Sequence, residues 1–63
     1  MKNEISMIYE VGEITYGSRK LRIVRVDTEG ECRCYVVNKM GIVLAWAKEE
    51  KEAFLKAIDL LFR

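Results

Sequence analysis

The sequence predicts an α+β fold: a four-stranded antiparallel β-meander followed by one C-terminal α-helix packed on one sheet face, in the order ββββα. Three observations carry this reading. Runs rich in β-branched and aromatic residues alternate with short Gly-containing turn signals, the pattern of strands joined by hairpins. After Ala47 the apolar period changes from that of a strand to that of a helix. No proline, linker or low-complexity tract divides the 63 residues, so one small domain spans 1–63.

The elements follow in order. Met1–Glu4 is a polar lead, and the first strand is expected over 5–16, with Gly12 inside it as a weak point or a place of close approach. Gly17-Ser18 reads as a two-residue connection with glycine first, the type II′ pattern. Strands at 20–26 and 31–37 flank Asp27-Thr28-Glu29-Gly30. There Asp suits the first position of a type I turn and Gly the last, so the expectation is a type I turn with a Gly bulge. Asn38-Lys39-Met40-Gly41 repeats that grammar and leads into a fourth strand at 42–47. The helix is expected over 48–62, with Phe54, Leu55, Ile58, Leu61 and Phe62 within an arc of roughly 120°. It lacks a Ser, Thr, Asp or Asn cap, although Glu49, Glu50 and Glu52 suit the positive end of the dipole. Ala53, Ala57 and Leu60 fall on its back.

Turn length fixes register. The turns so read set Val26 opposite Cys32, Val24 opposite Cys34, Ile23 opposite Tyr35, Val36 opposite Leu44 and Cys34 opposite Trp46. On the other side of the second strand they set Glu13 opposite Arg22, Val11 opposite Val24, Glu10 opposite Arg25 and Tyr9 opposite Val26. One face then carries Tyr9, Val11, Val24, Val26, Cys32, Cys34, Val36, Ile42, Leu44 and Trp46. The second carries Ile8, Ile14, Leu21, Ile23, Tyr35, Val37, Val43 and Ala45. Both faces are apolar, whereas an antiparallel sheet with one wet face alternates apolar with polar. One helical stripe covers one face, so the other is expected to meet a partner, and Ile14, Leu21, Ile23, Tyr35, Val37 and Val43 are its expected protein interface. The alternative is a sheet curled on itself, which four short strands make difficult.

Composition narrows the classes. A 51% hydrophobic fraction argues against disorder, and no apolar run approaches the length of a membrane span. With no signal-peptide pattern and only two cysteines, the expectation is a cytoplasmic protein with reduced thiols. Net charge is only +1, so there is no bulk electrostatic case for nucleic acid. Locally, however, Arg19, Lys20, Arg22, Arg25, Arg33 and Lys39 stand against Asp27, Glu29 and Glu31, a surplus of three. These six cations are the candidate contacts for nucleic acid or an acidic partner. In the expected register Arg25 and Arg33 flank Tyr35, and a Glu10–Arg25–Arg33 ladder is the structural counterpart of that reading.

Little in the chain suits chemistry. Histidine is absent, and no nucleophile elbow, P-loop or dinucleotide turn occurs. Cys32-Arg33-Cys34 offers two thiolates where a structural zinc needs four ligands, so a metal site would require a dimer. Two small buried hydrophobes under the helix is the simpler reading, and Trp46 is expected in the same core. No enzyme activity, cofactor, metal or small-molecule substrate is expected. In the order of its elements the chain resembles small sheet-plus-helix DNA readers such as the arm-binding domains of phage-type integrases. That resemblance implies contact with DNA, and chains this short without catalytic groups are frequent among accessory factors of phages and mobile elements. The residues themselves favour a non-enzymatic protein-interaction module, most simply a homodimer or an accessory factor, with nucleic-acid binding through strands two and three as the alternative.

Overall fold

The computed structural model describes residues 7–63. Strands β1 (Met7–Tyr16), β2 (Arg19–Thr28), β3 (Glu31–Val37) and β4 (Val43–Ala47) form one antiparallel sheet in that order, and helix α1 (Glu50–Leu61) follows. This is the ββββα meander expected from the sequence. The polar lead Met1–Glu4 and the expected first strand positions Ile5 and Ser6 lie outside the described residues.

Both hairpins of β2 close through two-residue loops. Tyr16 pairs with Arg19 around Gly17-Ser18, as expected, and Thr28 pairs with Glu31 around Glu29-Gly30. Gly17 and Gly30 carry the left-handed φ values (64° and 77°) that a side chain would resist. The second loop is one residue shorter than the expected bulged turn, which corrects the register of β3. Val26 faces Arg33, Val24 faces Tyr35, Ile23 faces Val36 and Arg25 faces Cys34. Because side chains alternate, that single step exchanges every β3 side chain between the faces. The register that forms gathers Ile23, Cys34 and Val36 beneath the helix, all fully buried, and turns Tyr35 with its polar hydroxyl outward.

Two bulges correct the other pairings. In β1 the expected Glu13–Arg22 pair forms, but the register shifts between Glu10 and Gly12, so Glu10 faces Val24, Tyr9 faces Arg25 and Ile8 faces Val26. A second shift, at Val36/Val37, sets Cys34 opposite Ala47, Val36 opposite Ala45 and Tyr35 opposite Trp46. Trp46 is therefore not a core residue. It lies on the side away from the helix and is 41% exposed.

The helix starts at Glu49 without a side-chain cap bond, as its sequence implies. Its buried side keeps Leu61 and Phe54 of the expected arc but is otherwise rotated: Ala53, Ala57 and Leu61 are buried, with Phe54 and Leu60 packed against the core. Leu55, Ile58 and Phe62 point outward, and Phe62 meets Tyr16, ring to ring at 4.5 Å. Two features select this rotation. Ala53 and Ala57 are fully buried in the same core cluster as Cys34 and Ala47, so small side chains on the helix meet a core that also holds small ones. Phe54 also fills the hollow above Gly12, where an added Cβ would stand 2.7 Å from the ring. Glycine 12 is thus the expected close-approach site.

Two arginines of β2 then fix the helix end to end. Arg25 donates to Glu50 at its first turn (2.6 Å), and Arg19 donates to the carbonyl oxygens of Leu61 (2.9 Å) and Leu60 (3.1 Å) at its last. Six strand residues span roughly 20 Å and eleven helical steps roughly 16 Å, so the guanidinium heads bracket the helix. A cation at the C-terminal carbonyls also complements the dipole.

Candidate interaction surface

With the helix on one side, the opposite face of the sheet is uncovered by any described element. The register puts Ile8, Val24, Val26, Tyr35 and Trp46 on it, with Glu10, Glu13, Lys20, Arg22 and Arg33 among them. Tyr35 and Trp46 are direct cross-strand neighbours, and the Arg33 guanidinium stacks 4.8 Å from the Trp46 ring centroid. Arg33 also donates to Glu31 at 2.9 Å. The Tyr35 oxygen, and then Glu31, hold the Arg33 pKa above its ordinary value.

Next to this pair, the β3–β4 connection and β4 expose a run of large apolar side chains. Met40 is 82% exposed, Ile42 54%, Val43 51% and Leu44 44%. Asn38 explains why they stay outside: its side-chain oxygen accepts from the backbone N–H groups of Met40 (2.9 Å) and Ile42 (3.0 Å), pinning the turn. Gly41 supplies the left-handed φ of 83°.

The residues expected to form one apolar interface are not brought together. Leu21 and Ile23 are buried under the helix and Ile14 packs against them, so these three belong to the core. Tyr35 and Val43 do lie on the open side. Val37 shares that side by register but is buried, apart from the main core cluster. The one-residue step at Glu29-Gly30 is the reason for the split. The sequence reading missed Trp46, Met40, Ile42 and Leu44 as surface residues; Trp46 is turned outward by the register shift at Val36/Val37, which no turn signal in the sequence marks.

The six cations also separate. Arg19 and Arg25 are on the helix side and hold its ends. Arg25 and Arg33 lie on opposite faces, so the Glu10–Arg25–Arg33 ladder does not form. Glu10 instead lies 3.9 Å from Arg22, and Glu13 pairs with Lys20 at 2.9 Å. Lys20, Arg22 and Lys39 remain together, lining with Thr15 and Ser18 an open cleft of about 410 Å³ at the turn end of the uncovered face.

On the helix side, Asp27 accepts from Arg25 (2.9 Å), and that bond, followed by one from the Cys32 thiol, holds its carboxyl below the usual carboxylate range. The same Asp27 contact raises the Cys32 pKa, and burial raises that of Cys34. Both groups are therefore protonated thiols at neutral pH rather than nucleophilic thiolates. Among the described residues no group of three or more His, Cys, Asp or Glu could hold a metal ion, and no helix is long and apolar enough to cross a membrane.

Comparison of the chain with models of protein families, with curated proteins and with solved structures gave no match.

Proposed function

We propose that this chain is a small non-enzymatic protein-interaction module whose contact surface is the uncovered sheet face together with its β4 margin. The observation that carries the reading is the exposure of Met40, Ile42, Val43, Leu44 and Trp46 in one continuous stretch of chain. Single exposed hydrophobes are ordinary, but contiguous ones rimmed by charge mark interfaces. The cluster of Tyr35, Trp46 and Arg33 has the composition of an interface hot spot. The most economical partner is a second copy of the chain. For so small a domain, burying such a face contributes at roughly 25 cal/mol per Å² a free energy comparable with its own stability.

Light scattering during size exclusion, at low and high salt, tests this. A dimer insensitive to salt, converted to monomer by Leu44→Glu or Trp46→Glu with the fold intact, is the expected result. If the wild-type chain is a monomer at every concentration and binds no protein through this face, the reading fails.

One feature favours a second reading, a binder of single-stranded nucleic acid. Tyr35 and Trp46 stand side by side on an open sheet with Arg33 stacked on the indole, an arrangement on which bases can stack. Such binding weakens steeply as salt rises, whereas an apolar contact does not.

A further inference from the structure

We infer that the cleft at the turn end of the uncovered face is a phosphate-binding site. Arg22 and Lys39 are its cationic ligands, and the Ser18 and Thr15 hydroxyls are additional donors. The cleft adjoins the Met40–Leu44 margin, but the inference does not depend on the protein-contact reading, because phosphate binding by Arg22 and Lys39 stands if that contact fails.

The argument begins with how the arginines are used. Arg19, Arg25, Arg33 and Arg63 each donate hydrogen bonds to a carboxylate or a helix carbonyl. Among the described residues Arg22 donates none, and its one charge contact there is a long ion pair with Glu10 at 3.9 Å, beyond hydrogen-bonding distance. A guanidinium presents five N–H groups in a planar fork that matches phosphate oxygens, and none of Arg22's makes a hydrogen bond to a described residue. Lys39 likewise makes no ion pair among the described residues, although it is held in place by the Asn38 turn. Lys20, the third cation of the cleft, is engaged by Glu13.

Two tight connections, Gly17-Ser18 and Asn38–Gly41, thus converge three like charges on one concavity; Glu13 engages Lys20, Glu10 reaches Arg22 only at 3.9 Å, and Lys39 has no ion pair among the described residues. Like charges gathered in this way repel unless an anion sits between them. The donor set suits phosphate better than carboxylate: a doubly charged group with three free oxygens can engage the arginine fork, a lysine and a hydroxyl at once. The opening of the cleft to solvent lets the phosphate be carried on a larger molecule.

Titration of the whole ¹⁵N-labelled chain with inorganic phosphate, at ionic strength held constant with chloride, reads the site directly. Saturable shifts of the Ser18, Arg22 and Lys39 amides are expected. Arg22→Gln and Lys39→Gln should each weaken binding by roughly tenfold or more, with unchanged amide dispersion elsewhere showing that the fold is intact. Shifts that never saturate, that chloride reproduces, or that both variants retain would overturn the site. A short deoxythymidine oligonucleotide then identifies the source. Tighter binding than phosphate, with shifts spreading to Tyr35 and Trp46, assigns the site to a strand backbone; equal or weaker binding assigns it to free phosphorylated compounds.

Discussion

Neighbouring residues Ile23 and Val24 stand on opposite faces of one strand and live in different environments. Ile23 is fully buried in one cluster with Val36, Cys34 and the alanines of the helix, whereas Val24 is half-buried between Glu10 and Tyr35 with no described element above it. Beneath the helix the buried side chains are small or branched and apolar, and charge enters at the two ends, through Arg19 at one and Arg25 with Asp27 and Glu50 at the other. Across the sheet, apolar and charged side chains are interleaved and two aromatic rings lie open. The first face has been closed by the chain's own helix. The second has the mixed composition of a surface that meets something else.

Substitution of that neighbouring pair gives the sharpest break. Ile23→Ala removes packing from a site with no water access and should cost about 2–5 kcal/mol. That is enough to unfold much of the population of a 63-residue domain. Val24→Ala should cost less than about 1 kcal/mol. Urea denaturation followed by circular dichroism measures both. Equal costs would mean that the outer face is as well covered in solution as the inner one, which only association could bring about.

Gly12→Ala probes the closed face from the other strand. The new Cβ would stand 2.7 Å from the Phe54 ring, so either the ring or the bulged strand must move, at about 1–3 kcal/mol. Phe54→Leu in the same chain frees that space. The double variant should therefore be less destabilised than the sum of the two single ones, a coupling that a denaturation cycle detects.

How much of this contrast could be read from the sequence depends on which residues decided it. The element order followed from Gly17, Gly30, Gly41 and the change of period after Ala47, since positive φ and periodicity are local properties. The assignment of faces did not. It turned on whether Asp27–Gly30 closes with two or three loop residues, and both choices leave apolar side chains on both faces. What decides between them is long-range: the burial of Ala53 and Ala57 in one core with Ile23, Cys34 and Val36, and the reach of Arg19 and Arg25 to the helix ends. A stripe of large residues pointed to Phe54, Leu55, Ile58, Leu61 and Phe62 as the inner side of the helix. Close approach over small sheet residues favoured the alanines instead. The candidate site inherited the same limit: alternation along β3 sets Arg33 beside Tyr35, but Trp46, across the shifted β3–β4 pairing, could not be placed there.

The charged margin of the closed face should give a smaller effect that depends on pH. Asp27 titrates below its ordinary value in the folded chain, because Arg25 and the Cys32 thiol donate to its carboxylate. The stabilisation is therefore present above the unfolded carboxyl pKa of 3.8 and is lost as pH falls through the lower folded value. Thermal melts should show the midpoint falling as pH drops from about 4 towards 2, and Asp27→Asn should flatten that slope while lowering the midpoint at pH 7. An unaltered slope in Asp27→Asn would place the acid-sensitive contact elsewhere, with the Arg25–Glu50 bridge as the next candidate.

The smallest effect on stability belongs to Trp46, and it bears most directly on the open face. Trp46 is the chain's single tryptophan, so intrinsic fluorescence reports this surface without a label. Trp46→Ala forfeits the Arg33 stack and some contact with Tyr35, and since the ring is 41% exposed the cost should stay under about 1 kcal/mol. In the wild type at low concentration the indole should be readily quenched by acrylamide. As concentration rises, a chain that associates through this face must withdraw the ring from solvent, so quenching should decline along the same curve as the rise in mass. Quenching that stays constant while mass rises would move the interface off the sheet, to the outward helix stripe of Leu55, Ile58 and Phe62. Quenching that declines only when an oligonucleotide is added, and returns with salt, would instead give the face to a nucleic-acid strand, because release of condensed counterions makes that contact salt-dependent and burial of an apolar surface does not.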